Sequence, residues 1–136
     1  MDLIPYIIFD GNCEEALNFY VKAFEGQIKF LTYYEGTPGE SFAKGKNKVM
    51  HATFEGKGFS LMASDSGQGA PVAETSGMVH LSINFDNVAE EEKVFSALVQ
   101  NGKISMPLQD TFWGARFGML TDQYGVSWMF NQDIKK

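Results

Sequence analysis

The sequence predicts an α+β fold, two βαβββ modules that pair into a curved mixed sheet around a cleft. Three observations carry that expectation. The order strand, helix, strand, strand, strand can be read twice along the 136 residues. Adding 76 to the residue number lays the second reading on the first without a gap from Ile7 to Ile28. The closing stretch, Met106 to Asn131, ends in a strand whose Val126, Trp128 and Phe130 point one way and whose Ser127, Met129 and Asn131 point the other. A large apolar face backed by small, flexible and polar groups suits a sheet with a core on one side and a ligand on the other. One such module cannot bury both faces of its sheet, so two should pair.

In the first module, 1–65, Leu3 to Phe9 is a short apolar run that reads as a buried strand. Asp10-Gly11-Asn12 breaks it, and Asn12 with Glu15 matches a helix cap and its reciprocal partner. Leu17, Tyr20, Val21 and Phe24 follow helical spacing, and Gly26 is the expected left-handed stop. Ile28 to Tyr34 reads as the second strand, Glu35 to Lys48 as a solvated loop. Val49 to Glu55 and Phe59 to Ser64 form a hairpin around Gly56-Lys57-Gly58. A connector of turn formers covers 66–77.

The second module, 78–136, restarts the pattern. Met78 to Phe85 is a strand, Asn87 with Glu90 repeats the cap, and Val94, Phe95, Leu98 and Val99 give the helix its apolar face. Gly102 stops that helix, Ile104 opens a strand, and Phe112 to Met119 and Val126 to Asn131 supply two more around the turn Thr121 to Gly125. Eight of the 22 aligned positions from Ile7 to Ile28 are identical, among them Phe9 with Phe85, Asp10 with Asp86, Phe19 with Phe95 and Gly26 with Gly102. Unrelated sequences would share roughly one or two at ordinary residue usage. Later the spacing shrinks. Ala52 and Phe54 then match Ala115 and Phe117, and Met62 matches Met129. We expect a single duplicated domain.

A net charge of -6 argues against a nucleic-acid groove or an anionic membrane as partner. No apolar run approaches the ~20 residues that span a bilayer. The N-terminus lacks a basic segment followed by a small-residue cleavage site. The single cysteine, Cys13, makes no internal disulfide and no thiolate cluster. These features predict a soluble cytoplasmic protein.

The segments PYIIFDGNCEEALNFY, VMHATF and PLQDTFWGARFGMLTDQYGVSWMFN resemble the vicinal oxygen chelate superfamily, which includes glyoxalase I, extradiol dioxygenases, and fosfomycin and bleomycin resistance proteins. More narrowly they look like its PhnB-like branch, and the resemblance covers nearly the whole chain. Some members of that branch carry a ubiquinone-precursor methyltransferase label. This sequence offers no strand, Gly-rich turn and helix to hold a methyl-donor nucleoside. In metal-dependent relatives four His, Glu or Gln ligands come from the first and last strands of each half. The matching positions here are Ile4, Met62, His80 and Met129. One imidazole, two thioethers and an isoleucine do not make a zinc, nickel or magnesium site. The resemblance also implies a homodimer.

The expected function is therefore binding of a small organic molecule, with no cofactor and no metal. The alternatives are a metal-dependent lyase, isomerase or dioxygenase, and a dimeric interaction protein without a ligand. The ligand-binding candidates are Tyr6, His51, Met62, His80, Ser82, Gln109, Trp113, Arg116 and Met129. His80 and Ser82 share a strand side with Asn84, and His80 is the one candidate for a catalytic base. His51 shares a side with Thr53 and could reach the cleft or stand at a solvated strand end. Arg116 could clamp a carboxylate or phosphate, or pair with a carboxylate of the chain itself. Gln109 and Trp113 lie in the most family-specific segment, where Trp113 could stack on a ligand or serve the core. Met62 and Met129 would form a deformable floor. Cys13 lies in the first helical turn, where the dipole could lower its pKa, but no base stands near it in sequence.

Overall fold

The computed structural model describes residues 1–38, 40, 47–66 and 78–134. The chain divides into two compact units, Met1–Ala73 and Glu74–Lys136. The first holds β1 (Tyr6–Phe9), α1 (Cys13–Phe24), β2 (Gln27–Tyr33), β3 (Val49–Gly56) and β4 (Phe59–Asp65). Its sheet runs β1-β4-β3-β2, with β1 parallel to β4 and the other pairs antiparallel. The second holds β5 (Leu81–Phe85), α2 (Val88–Leu98), β6 (Lys103–Asp110), β7 (Ala115–Thr121) and β8 (Ser127–Asp133), in the order β5-β8-β7-β6. Again the outer pair, β5 with β8, is parallel. The fold is α+β, two four-stranded mixed sheets with one helix each among the described residues.

Each helix covers one face of its own sheet. α1 buries Cys13, Ala16, Leu17, Tyr20, Ala23 and Phe24; of the residues its spacing announces, Val21 is only half-buried. Tyr20 meets Phe54 edge-on at 6.3 Å and Phe24 meets Phe59 at 5.3 Å. α2 sets Phe95 edge-on to Phe130 at 5.1 Å, with Leu98, Leu120 and Trp128 buried in the same unit. Fully burying side chains of this size contributes about 1.5–3 kcal/mol each. The alternation expected for β8 holds from Trp128 to Asn131, where Trp128 and Phe130 are buried and Met129 and Asn131 half-buried; Ser127 is buried and Val126, before the strand, only half-buried.

Strand boundaries differ from expectation at both module starts. β1 begins at Tyr6, because Pro5 has no N–H and enters the ladder only through its carbonyl, which accepts from Met62 N–H at 2.9 Å. Leu3 and Ile4 lie before the strand, and so do Met78, Val79 and His80 before β5. Phe112 and Trp113 are not in a strand. They occupy the turn between β6 and β7, closed by Thr111, whose N–H and Oγ1 both donate to the Ala115 carbonyl, at 2.8 and 2.7 Å. Of the expected connector only Ser66 is described; 67–77, like 39 and 41–46 of the expected loop, lie outside the described residues.

The two helix starts are not capped alike. Asn87 accepts from Glu90 N–H at 2.9 Å, as its spacing predicts. Asn12 makes no side-chain cap. Asp65, at the far end of β4, takes that role by accepting from Cys13 N–H at 2.8 Å with one oxygen and from Val49 N–H at 2.8 Å with the other. A charged acceptor from a neighbouring strand thus displaces the local amide.

The helix ends also correct the sequence reading. Glu25 and Asn101, not the glycines after them, take left-handed conformations, with φ of 54° and 60°. Gly26 and Gly102 are required for space. A Cβ on Gly26 would lie 2.5 Å from the Glu55 carbonyl oxygen, and one on Gly102 would lie 2.4 Å from that of Thr121.

Strand register revises the later part of the repeat. Ile28 pairs with Phe54, and its counterpart Ile104 pairs with Leu120. Phe54 therefore corresponds to Leu120, and Ala52 to Gly118, instead of Phe117 and Ala115. The match of Met62 with Met129 stands, because Tyr6 pairs with Met62 and Ser82 with Met129.

Candidate functional site

The face of each sheet turned away from its own helix is the candidate site. In the first unit one row across that face reads Tyr6, Met62, Thr53 and Phe30. Ile8 with Ser64 and His51 with Thr32 lie beside it. Tyr6 and Phe30, on the two edge strands of the sheet, are 46% and 53% exposed. Tyr6 Oη lies 3.1 Å from His51 Nδ1, and the two rings stack at 5.7 Å. Phe30 reaches the same imidazole at 6.0 Å. With the proton on Nε2, Tyr6 donates to Nδ1 and His51 keeps Nε2–H as a donor. Tyr6, His51 and Met62 are thus brought together, and Phe30 joins them.

In the second unit Ser82, Met129, Met119 and Met106 form one row and Asn84, Asn131, Phe117 and Gln109 the next. Asn131 Nδ2–H donates to Asn84 Oδ1 at 3.2 Å. Trp113 rises from its turn to meet Phe117 edge-on at 6.0 Å. Ser82, Gln109, Trp113 and Met129 therefore belong to one face. His80 precedes β5, two residues before Ser82. Thioethers fill the centre, amides and a hydroxyl lie around them, and no charged residue stands in either row.

Arg116 is separated from that face. It follows the parity of Gly118, Trp128 and Phe130 and faces α2. There its Nε lies 3.7 Å from Glu91 Oε1, its Nη2 3.6 Å from Glu92 Oε1 and its Nη1 3.4 Å from Asp110 Oδ1. Of the two roles the sequence left open, the geometry builds the internal ion pair. Cys13 is fully buried, and burial, reinforced by Asp65 and Glu14, pushes its thiol up to about 12. Its position in the first helical turn does not activate it.

A family model for 3-demethylubiquinone-9 3-methyltransferase matches residues 1–131. The chain belongs to this family. A crystal structure of protein PA1353 from Pseudomonas aeruginosa is 40% identical, covers 98% of both chains and superposes with a TM-score of 0.87. A Bacillus cereus structure described as a putative 3-demethylubiquinone-9 3-methyltransferase, PhnB protein, is 30% identical, covers 97% of this chain and 99% of its own, and gives 0.78. The glyoxylase/bleomycin resistance protein/dioxygenase domain from Frankia sp. EAN1pec is 11% identical, with 98% and 97% covered and a TM-score of 0.65. That last likeness is one of fold. The chain is PhnB-like, and its fold is that of the glyoxalase and bleomycin resistance proteins.

Within this PhnB-like chain, Glu91 stands with Glu90 in the first turn of α2, where acids suit the helix dipole, yet it is fully buried. Its spacing to Val94, Phe95 and Leu98 puts it on the apolar stripe, which was the available signal. Burial raises its carboxyl pKa above the ordinary 4.5, Arg116 lowers it, and Glu92 and Asp110 raise it further, with a net rise. The folded state therefore holds this proton more tightly than the unfolded chain. Stability from Glu91 is present below 4.5 and is lost as pH rises through the raised folded value. Glu91→Gln, fixed in the neutral form, should gain melting temperature relative to the parent as pH is raised from 4.5 to 7. A pH-independent difference, or one of opposite sign, in melts across that range would refute the assignment.

Proposed function

We propose that this chain, acting as a single duplicated domain, binds a small organic molecule on the open faces of its sheets and holds no divalent metal at the chelate positions. The observation that carries the reading is the equivalent pairing of Tyr6 with Met62 and of Ser82 with Met129. Both thioethers stand where metal-dependent relatives place carboxylate or imidazole. Thioethers coordinate soft ions and leave zinc, nickel or magnesium largely hydrated. Flexible, polarisable side chains beside Tyr6, His51, Ser82 and the amides suit a mostly apolar molecule carrying a few hydrogen-bonding groups. His80 is assigned as a further ligand partner.

A methyl transfer, the activity in the family's description, finds less support. In parallel-sheet enzymes a donor nucleoside sits where a strand turns into a helix start. Here the start of α1 after β1 is filled by the Asp65 carboxylate.

The test is thermal melting against a chemically varied set of small molecules. A molecule that binds only the native state stabilises it by about 2.7 kcal/mol at a hundred times its Kd. Compounds should raise the melting temperature, and Tyr6→Ala should abolish the rise for those held on the first unit's face and Met129→Ala for those held on the second's. No shift with any compound, or shifts indifferent to both substitutions, would contradict the proposal.

We also read the protein as a cytoplasmic homodimer. No described helix is long and apolar enough to cross a membrane. Leu3, Met78 and Phe112 are 92%, 84% and 97% exposed within one chain. Sedimentation velocity at micromolar concentration should give twice the chain mass; a monomer there would contradict the assignment.

A further inference from the structure

On the open face of the second unit the two asparagines satisfy only half of each other. Asn131 Nδ2–H donates to Asn84 Oδ1 at 3.2 Å. Among the described residues no other side-chain hydrogen bond forms to either amide, so Asn84 Nδ2–H remains a donor and Asn131 Oδ1 an acceptor. These two open positions have opposite polarity and belong to ladder partners, Asn84 and Asn131. The next ladder partner of Asn131 is Phe117, and Trp113 stands edge-on to that ring. An amide pair with one donor and one acceptor therefore adjoins an aromatic platform, within two rows that hold no charge and beside Asp133 in the next.

We propose that this face recognises a planar aromatic ring system carrying a lactam edge, in which N–H and C=O lie cis. The inference rests on the reading that the open faces take a small organic molecule, and it names the chemical class. A cis lactam offers its carbonyl to Asn84 Nδ2–H and its N–H to Asn131 Oδ1. A ketone or ether satisfies only one of them and leaves the other amide desolvated and unpaired. A carboxylate repels Asn131 Oδ1 and finds no counter-charge in the two rows. The ring stacks against Phe117 and Trp113 and rests on the Met119 and Met129 thioethers, contacts that favour a flat polarisable surface.

Three probes separate these parts. Isoquinolone has both the ring and the lactam. N-methylisoquinolone keeps the ring and loses the donor, and valerolactam keeps the lactam and loses the ring. In titrations of isotope-labelled protein followed by NMR, isoquinolone should shift the side-chain amides of Asn84 and Asn131 and the Trp113 indole, saturably. The other two probes should bind about tenfold more weakly or worse, the equivalent of about 1.4 kcal/mol for one hydrogen bond or one stacked ring. Asn84→Ala, at an exposed position, should cost isoquinolone a similar factor. Equal binding of isoquinolone and its N-methyl derivative, or an unchanged affinity in Asn84→Ala, would overturn the proposal. If other compounds raise the melting temperature in a Met129-dependent way while isoquinolone does nothing, the lactam class is wrong and small-molecule binding stands. If no compound binds at all, both fall.

Discussion

Asp65→Ala should destabilise the first unit by about 4 kcal/mol, because it strips the partner from two buried N–H groups that cost about 1–3 kcal/mol each when left unsatisfied. The side chain is 2% exposed and bridges the start of α1 to the start of β3 through Cys13 and Val49. Asn12→Ala, at the position where local sequence places the cap, should change stability by no more than about 0.5 kcal/mol. Denaturant unfolding of the two variants decides between a local cap and a distant one. Comparable losses, or a larger loss at Asn12, would contradict the structure.

Gly102→Ala is the second large effect, with an expected loss of about 2–3 kcal/mol from overpacking. Its Cβ would meet the Thr121 carbonyl oxygen at 2.4 Å and the Asp122 Cα at 3.0 Å, both backbone atoms of the strand end that must move as a unit. Gly26→Ala meets the Glu55 carbonyl oxygen and the Phe54 ring tip in the same way. Asn101→Gly should be neutral or slightly stabilising, because the left-handed residue at φ 60° is Asn101. Were the glycines needed for left-handed caps, Gly102→Ala would cost only on the order of 1 kcal/mol. Melting temperatures of these three variants distinguish strand clash from cap strain.

The outline of the fold was legible because it is local. Helical spacing marked Leu17, Tyr20 and Phe24, strand parity marked Trp128 and Phe130, and Asn87 acts on Glu90 three residues away. What failed was non-local. Nothing near Asn12 announces that a carboxylate from the end of β4 will cap its helix. Phe112 and Trp113 have strand-like composition, but Thr111 and the left-handed Gly114 at φ 88° turn the chain there. The repeat slipped by three residues in β7 because its true alignment is set by ladder pairing, Ile104 with Leu120 as Ile28 with Phe54, which sequence identity alone does not reveal. Glu91 was legible in principle, since it stands on the apolar stripe of α2.

The candidate site divides along the same line. The parity of Tyr6, Met62, Ser82 and Met129 follows from strand alternation and the repeat, and their pairing agrees with it. The bond between Tyr6 and His51 reaches diagonally across β4, so it depends on the parallel register of β1. Phe30, Met119 and the pairing of Asn84 with Asn131 likewise emerge only once the ladders are known.

The measurement that bears most directly on the proposed function is the metal content of protein purified without chelator, taken alongside its His80→Ala variant. In the proposed function Met62 and Met129 take two of the chelate positions, and Ile4 lies before β1. One neutral imidazole leaves a divalent ion mostly hydrated and free to exchange. Elemental analysis should therefore find zinc, nickel, iron and manganese far below one per chain in both proteins, while His80→Ala weakens whatever small molecule raises the parent's melting temperature. Near-stoichiometric metal in the parent that is lost in His80→Ala would contradict the account and put a metal-dependent enzyme in its place.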